Sequence, residues 1–177
     1  MKAIDKYIFE ALDNYPYSLV ETIESLDYAL SYDDKNTMAL CLYGRVQTDQ
    51  LFRYEEAKEY FQQAISININ AIEVYSYYIY TLVLNEDYEE AAKLIDFALT
   101  IKGINKVEIL LKKVMLLESQ KHFKKAVKAL KEARLEALNN DYDYFMEETE
   151  KRLHKKISKK SDKKPKKEKS AKRKNNK

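Results

Sequence analysis

An all-α stack of paired helices, an α-α superhelix closed by a capping helix and trailed by a basic tail, is the fold this sequence predicts. Three observations predict it. Tyr54-Glu55-Glu56-Ala57 returns as Tyr88-Glu89-Glu90-Ala91 after 34 residues, and Phe123-Lys124-Lys125-Ala126 follows after 35 more. Asn36, Asn70 and Asn105 recur at the same 34 and 35 residues. Between these marks the apolar residues keep helical spacing. A fixed period of that length belongs to arrays in which each helix pair buries its apolar face against the next.

The elements follow in order along the chain. A first helix spans about 4–14 and ends before Pro16, because Tyr15 is biased away from helical backbone. Ser18 with Glu21 forms a capping-box pattern that opens a helix over 18–31, where Leu19, Ile23, Leu26 and Leu30 share one face. Asn36 starts a helix over 37–50, and the Tyr54 motif starts the next over 54–67. Asn70 with Glu73 opens 71–84, the Tyr88 motif opens 88–101, and Asn105 with Glu108 opens 105–119. The Phe123 motif opens 123–138. In the second helices Ala57, Phe61 and Ala64 repeat as Ala91, Ile95 and Ala98, then as Ala126, Leu130 and Ala133. Small residues at either end of that triplet admit a neighbouring helix and the large middle one fills the gap. A last helix over 142–158 carries Phe145, Met146, Leu153 and Ile157 among charges, as the closing element of a solenoid needs. This predicts about four helix pairs and a cap in one domain, 1–158, with 159–177 as a disordered Lys-rich tail.

Composition agrees. Two glycines and two prolines in 177 residues are too few for a turn-rich all-β chain. The net charge of +3 hides a division: residues 1–150 hold 17 Lys+Arg against 27 Asp+Glu, whereas residues 151–177 hold 15 against two. Cys41 is alone, so no internal disulfide can form, which suits a reducing compartment. The start, Met1-Lys2-Ala3-Ile4-Asp5, does not read as a secretory signal, and no stretch reaches the roughly 20 apolar residues of a membrane span. A soluble, cytoplasmic protein is expected.

The period, the paired helices and the Tyr-x-x-Ala-x-x-x-Phe-x-x-Ala spacing resemble the tetratricopeptide repeat. The resemblance covers 36–138 as three repeats, with 4–34 as a degenerate leading one. The second-helix motif matches well. In the first helices the consensus Trp is replaced by Cys41, Tyr75 and Leu110, and the consensus Gly by Ile79 and Val114, while Gly44 stands one residue out of register beside Arg45. Ile69 and Gly103 stand where the terminal Pro is usual.

Several chemistries lack their residues. Gly44 and Gly103 are the only glycines, which excludes a Gly-rich phosphate cradle or dinucleotide fingerprint. Glu150 and His154 share a helix face at i, i+4 without a third ligand at credible spacing, so an ion pair is expected rather than a metal. Adjacent glutamates such as Glu55-Glu56 point about 100° apart on a helix and fit a first-turn dipole preference better than a shared proton. Cys41 falls where the resemblance places a core ring and is expected to be inert. No catalytic residue, cofactor or metal is assigned.

Two surfaces remain. The resemblance implies that first helices line a concave groove. Its lining would then be Leu42, Val46 and Asp49; Glu73, Ser76 and Tyr80; and Leu111, Met115 and Glu118, with Tyr75, Tyr78 and Leu82 in the core. Such a groove is apolar with acidic edges. It suits a protein segment with apolar anchors and basic flanks, and lacks the Lys, Arg and Asn that would grip a terminal carboxylate. The second surface is the tail, where Lys159, Lys160, Lys163, Lys164, Lys166, Lys167, Lys169, Lys172, Arg173 and Lys174 form a cationic strip. It would bind phosphate without sequence readout, having no aromatic ring to stack on bases. The leading expectation is therefore a non-enzymatic adaptor. The alternative is a nucleic-acid- or ribonucleoprotein-associated factor using its tail; the acidic body repels phosphate, so the solenoid itself should not hold nucleic acid.

Overall fold

The computed structural model describes residues 3–162. Among these residues nine helices follow one another without a strand: α1 (Ala3–Asn14), α2 (Leu19–Tyr32), α3 (Thr37–Asp49), α4 (Tyr54–Ile67), α5 (Ile72–Leu84), α6 (Tyr88–Ala98), α7 (Lys106–Ser119), α8 (Phe123–Glu136) and α9 (Asp143–Asp162). Each helix packs on its successor, and the odd-numbered helices also touch along a row, α1 on α3, α3 on α5 and α5 on α7. This is the all-α superhelical array expected. Element ends fall within three residues of the expected ones except at α9, which continues to Asp162 rather than stopping at 158. Lysines are good helix formers, and Pro165 is the first residue after α9 that a helix interior would reject. The remainder of the expected disordered tail, 163–177, lies outside the described residues.

The triplets form the seams between pairs. Ala57, Phe61, Ala64, Ala91, Ala98, Ala126 and Ala133 are fully buried, and Ile95 and Leu130 nearly so. Phe61 shows how close the helices come. Its ring stacks on Tyr78 with centroids 5.6 Å apart, and a Cβ built on Gly44 would lie 2.7 Å from its Cζ. Gly44, one residue out of register by alignment, thus supplies the close approach between α3 and α4. Polar groups in the seams are matched. The buried hydroxyls of Thr48 and Thr81 meet at 2.7 Å between α3 and α5. Tyr78 donates to Glu90 at 2.7 Å and accepts from Gln62 at 2.9 Å, tying α5 to both α6 and α4. Lys58 of α4 bridges Glu55 at 2.9 Å and Asp87 at 2.7 Å, fixing the next pair's turn.

Helix starts obey the sequence only in part. Asn36 accepts from the Ala39 N–H at 3.0 Å and Asn105 from the Glu108 N–H at 3.2 Å. Asn70 does not cap: α5 begins at Ile72 after Ala71, and the Asn70 N–H is instead drawn to the Asn68 side chain at 3.0 Å. A preceding Asn that folds the backbone into its own turn outcompetes the cap. Ser18 occupies a cap position without a side-chain cap bond.

A third periodicity appears in the turns. Phe52, Glu86 and Lys121, spaced by the repeat, all have positive φ, 55°, 63° and 61°. After α5 the Asp87 N–H bonds the Leu82 carbonyl at 2.9 Å, and after α7 the His122 N–H bonds the Leu117 carbonyl at 2.8 Å. These are the six-to-one bonds of a Schellman ending, whose left-handed position favours glycine. An L-residue there costs roughly 1–2 kcal/mol, partly offset by glycine's greater unfolded-state freedom. Glu86→Gly is therefore expected to raise Tm by about 1–3 °C. Gly44→Ala should lower stability by about 1–3 kcal/mol, because the Phe61 ring is held between Gly44 and Tyr78 and cannot retreat. Thermal melts followed at 222 nm check both, and a stabilised Gly44→Ala would contradict the close-approach reading.

Candidate protein-binding groove

The groove is built from the odd-numbered helices. Of the nine residues expected to line it, four converge. Tyr80 of α5 and Leu111, Met115 and Glu118 of α7 line one cleft of about 710 Å³, closed on its far side by Tyr142 and by Phe145, Thr149 and Arg152 of α9. Leu111 and Met115 are half-buried, and Phe145 is 53 % exposed, so the floor is apolar and open.

The other five lie elsewhere. Leu42 and Val46 are 2 % and 0 % exposed, sealed against Ile8, Ala11 and Leu26 of the leading pair. Their expected groove exposure is corrected by α1, which covers that side of α3. Ser76 is also buried, its hydroxyl donating to the Glu108 carboxylate across the α5–α7 seam. Asp49 is exposed and accepts from Tyr15 Oη at 2.6 Å, which, after burial of the ring, holds the Tyr15 phenol at about 12. Glu73 is exposed beside the α3–α5 contact, where its carbonyl faces Cys41 Sγ at 3.9 Å. Tyr75, Tyr78 and Leu82 are in the core, as expected.

Two cations that periodicity did not assign, Lys112 and Arg152, line the cleft, and a third, Arg45, is held on α3 outside it. Arg45 lies between two rings, its guanidinium carbon 4.6 Å from the Tyr15 centroid and 4.2 Å from that of Tyr77. Such a stack is worth about 0.5–2 kcal/mol and explains why an arginine is tolerated next to Gly44. Lys112 Nζ stands 5.1 Å over the Tyr80 ring, and burial pulls its pKa down against the opposing pull of Glu108 and Asp49. Arg152 grips Glu118 through both carboxylate oxygens, Nε to Oε1 and Nη2 to Oε2, each at 3.0 Å, and Lys156 Nζ adds a third bond at 2.6 Å. These cations hold the Glu118 carboxyl below its usual range. Glu118 is thus not a free acidic edge: it clamps α9 onto α7. Only the extra helix could have revealed this, since Glu118 and Arg152 are 34 residues apart without sharing a motif.

Elsewhere the chemistry is quiet. Burial pushes the Cys41 thiol up to about 12, and the side chain is 4 % exposed, so it is protonated and inert. Glu150 pairs with Arg134 at 3.1 Å and with His154 at 3.8 Å. Among the described residues no three His, Cys, Asp or Glu side chains gather as a metal site would need. No helix there is long and apolar enough to cross a membrane.

Residues 39–68, which comprise α3 and α4, match the tetratricopeptide repeat family. Helix pairs pack in sequence on either side of that match, so the described residues form an all-α array of tetratricopeptide-like architecture. No curated protein sequence matches it.

The array closes differently at its two ends. At the C-terminal end Met146 and Leu153 of α9 are fully buried and Thr149 is 1 % exposed, so α9 caps the stack as expected. Phe145, expected in that cap, turns instead to the cleft. At the N-terminal end Phe9, Tyr17 and Val20 stay exposed. Of the residues expected in the cationic tail, Lys159 is exposed on α9 and Lys160 lies in its last turn, while Lys163 to Lys174 lie outside the described residues.

Because the folded Glu118 carboxyl titrates below its unfolded value, its clamp contributes fully above pH ~4.3 and is lost as pH falls through the lowered folded value. Glu118→Gln should cost about 1–2 kcal/mol at pH 7. The gap between wild type and variant should stay constant down to about pH 5 and close below about pH 4. Melts across that range, with hydrogen exchange of α9, measure it; a gap independent of pH would show that the carboxylate charge is not what holds the helix.

Proposed function

We propose that this array is a non-enzymatic adaptor that holds a protein segment in the groove between α5, α7 and α9. The observation that carries the reading is the cleft itself. Tyr80, Leu111, Met115 and Phe145 give it an apolar floor on three helices, and its volume of about 710 Å³ is left open by the side chains of the described residues. An amphipathic helix or an extended segment with one or two large apolar anchors suits such a floor. Charge sets the polarity. Within the cleft Glu118 is matched by Arg152, and Glu108 stands near Lys112, so the anchor itself should be uncharged. Upstream, residues 1–100 hold 18 Asp+Glu against 7 Lys+Arg, which favours a basic flank lying toward α3 and α1. The inert, buried Cys41 is compatible with a reducing, cytoplasmic setting.

Photo-crosslinking tests the groove. A benzophenone side chain at Phe145 should capture a discrete partner. The same probe at the exposed α6 position Lys93, which does not line the cleft, should not. Tyr80→Ala with Met115→Ala should cut capture at least about tenfold, a loss of roughly 1.4 kcal/mol or more, with helicity retained. Equal crosslinking at both positions, or undiminished capture by the folded double variant, would remove the groove reading.

A further inference from the structure

The last hairpin carries a surface that the overall acidity conceals. α8 and α9 run antiparallel: Arg134 pairs with Glu150 near one end, and Lys156 Nζ stands 5.7 Å over the Phe123 ring at the other. The first half of α8 therefore lies beside the second half of α9. Residues 119–131 and 151–161 contain no Asp or Glu at all, and hold 11 Lys+Arg. Arg152 and Lys156 are committed to Glu118. Lys124, Lys125 and Lys128 of α8 and Lys155 and Lys159 of α9 are exposed, and among the described residues none has a carboxylate within ion-pair distance. Of the hairpin's acids, Glu136, Asp141, Asp143, Glu147 and Glu148 collect toward the opposite end, Glu132 and Glu150 lie between, and Asp162 alone closes α9 at the cationic end. From Lys156, beside Phe123, α9 runs about 9 Å further to Asp162. The chain then continues from the cationic end into residues 163–177, with nine Lys+Arg and one acid.

We propose that this end of the α8–α9 hairpin binds the phosphodiester backbone of nucleic acid through the exposed lysines of both helices. Unpaired lysines spread over two helix surfaces match a ligand charged along its whole length, and binding would release that ligand's condensed counterions. Recognition is by backbone charge, since the lysines outnumber the rings at this end and Lys156 already lies over the half-buried Phe123 ring. A lipid surface is the poorer fit. The exposed leucines that could insert, Leu135 and Leu138 at 86 % and 101 %, lie at the opposite, acidic end. The expectation that the folded body repels phosphate is thereby confined to residues 1–100. This site does not depend on the groove.

The test is fluorescence anisotropy of the full chain with labelled oligouridine and with a labelled DNA duplex, between about 50 and 200 mM salt. Both probes should bind, with log K falling linearly in log salt. Lys124→Gln, Lys125→Gln and Lys128→Gln together should lessen the slope by roughly 2–3 on duplex and weaken binding by about tenfold or more at low salt. The arginine versions of the same three should restore it. A full-length variant with the nine basic residues of 163–177 changed to Gln should keep residual salt-dependent binding that the triple change removes. Lys35→Gln with Lys93→Gln, on the acidic half, should change neither quantity. The proposal is overturned if the triple variant, shown folded by circular dichroism, binds as wild type. Loss of all binding in the variant altered only within 163–177 would overturn it too, as would equal or tighter binding of poly-glutamate or phosphatidylserine vesicles.

Discussion

The close approach of helices at alanine is the constraint on which the rest of this structure depends. Ala57, Ala91 and Ala126 open the second helices and Ala64, Ala98 and Ala133 follow two turns later, all fully buried. A larger side chain at any of them would push neighbouring axes apart, and close-packed seams tolerate such insertion poorly. The middle residue then fills what the alanines leave: Phe61, Ile95 and Leu130. Phe61 is the largest of the three and needs the one helical glycine of the chain opposite it, Gly44. Seam geometry in turn sets which residues of the first helices are covered by the next pair and which stay open, so the open cleft is a by-product of packing.

That dependence explains which site residues were legible. The fold could be read because period, alanine triplets and Asn marks all report local, repeating contacts. Position on a helix could be read too: Tyr75, Tyr78 and Leu82 are core, and Tyr80 and Met115 face a cleft. Spacing does not say which lateral neighbour covers a residue. Leu42 and Met115 belong to the same broad class of positions between core residues, yet α1 covers the first and α9 leaves the second open. Arg45 and Lys112 were missed because a charged residue in a helix reads as solvated. Here each is carried by aromatic rings, Tyr15 and Tyr77 for one and Tyr80 for the other. Asn70 was over-read for a local reason, the competing turn set by Asn68. The left-handed turn positions were invisible because Phe52, Glu86 and Lys121 are not the residues such positions favour.

A solenoid must also end, and repeat sequence cannot specify its own end. The ninth helix solves this with a mixed contact. Its apolar side, Met146 and Leu153, continues the seam, while the Glu118 clamp fixes it laterally against α7. Hydrogen bonds with good geometry to a carboxylate that is 13 % exposed are less screened than those of surface pairs, so the clamp orients α9 more than it stabilises the whole. Orientation matters because Phe145 and Thr149 of the same helix form one wall of the cleft. The cap and the groove wall are therefore one element. Groove width follows from how firmly Glu118 holds it.

Using Glu118 in this way neutralises the groove locally and separates the molecule's charge into two regions. Residues 1–100 are left strongly acidic, and residues 101–162 hold 16 Lys+Arg against 10 Asp+Glu. At physiological salt, fields from exposed charges fade within about 8 Å, so each region would act on a ligand with little interference from the other. A charge-balanced cleft, with Glu118 held by Arg152, would on the proposed reading select by apolar fit. Steering on either side then decides which segment reaches it and in which direction it lies, raising association rate more than residence time. If both proposals hold, a protein segment and a polyanion would meet neighbouring surfaces of the C-terminal helices, with α9 lining the cleft by its first half and presenting lysines by its second.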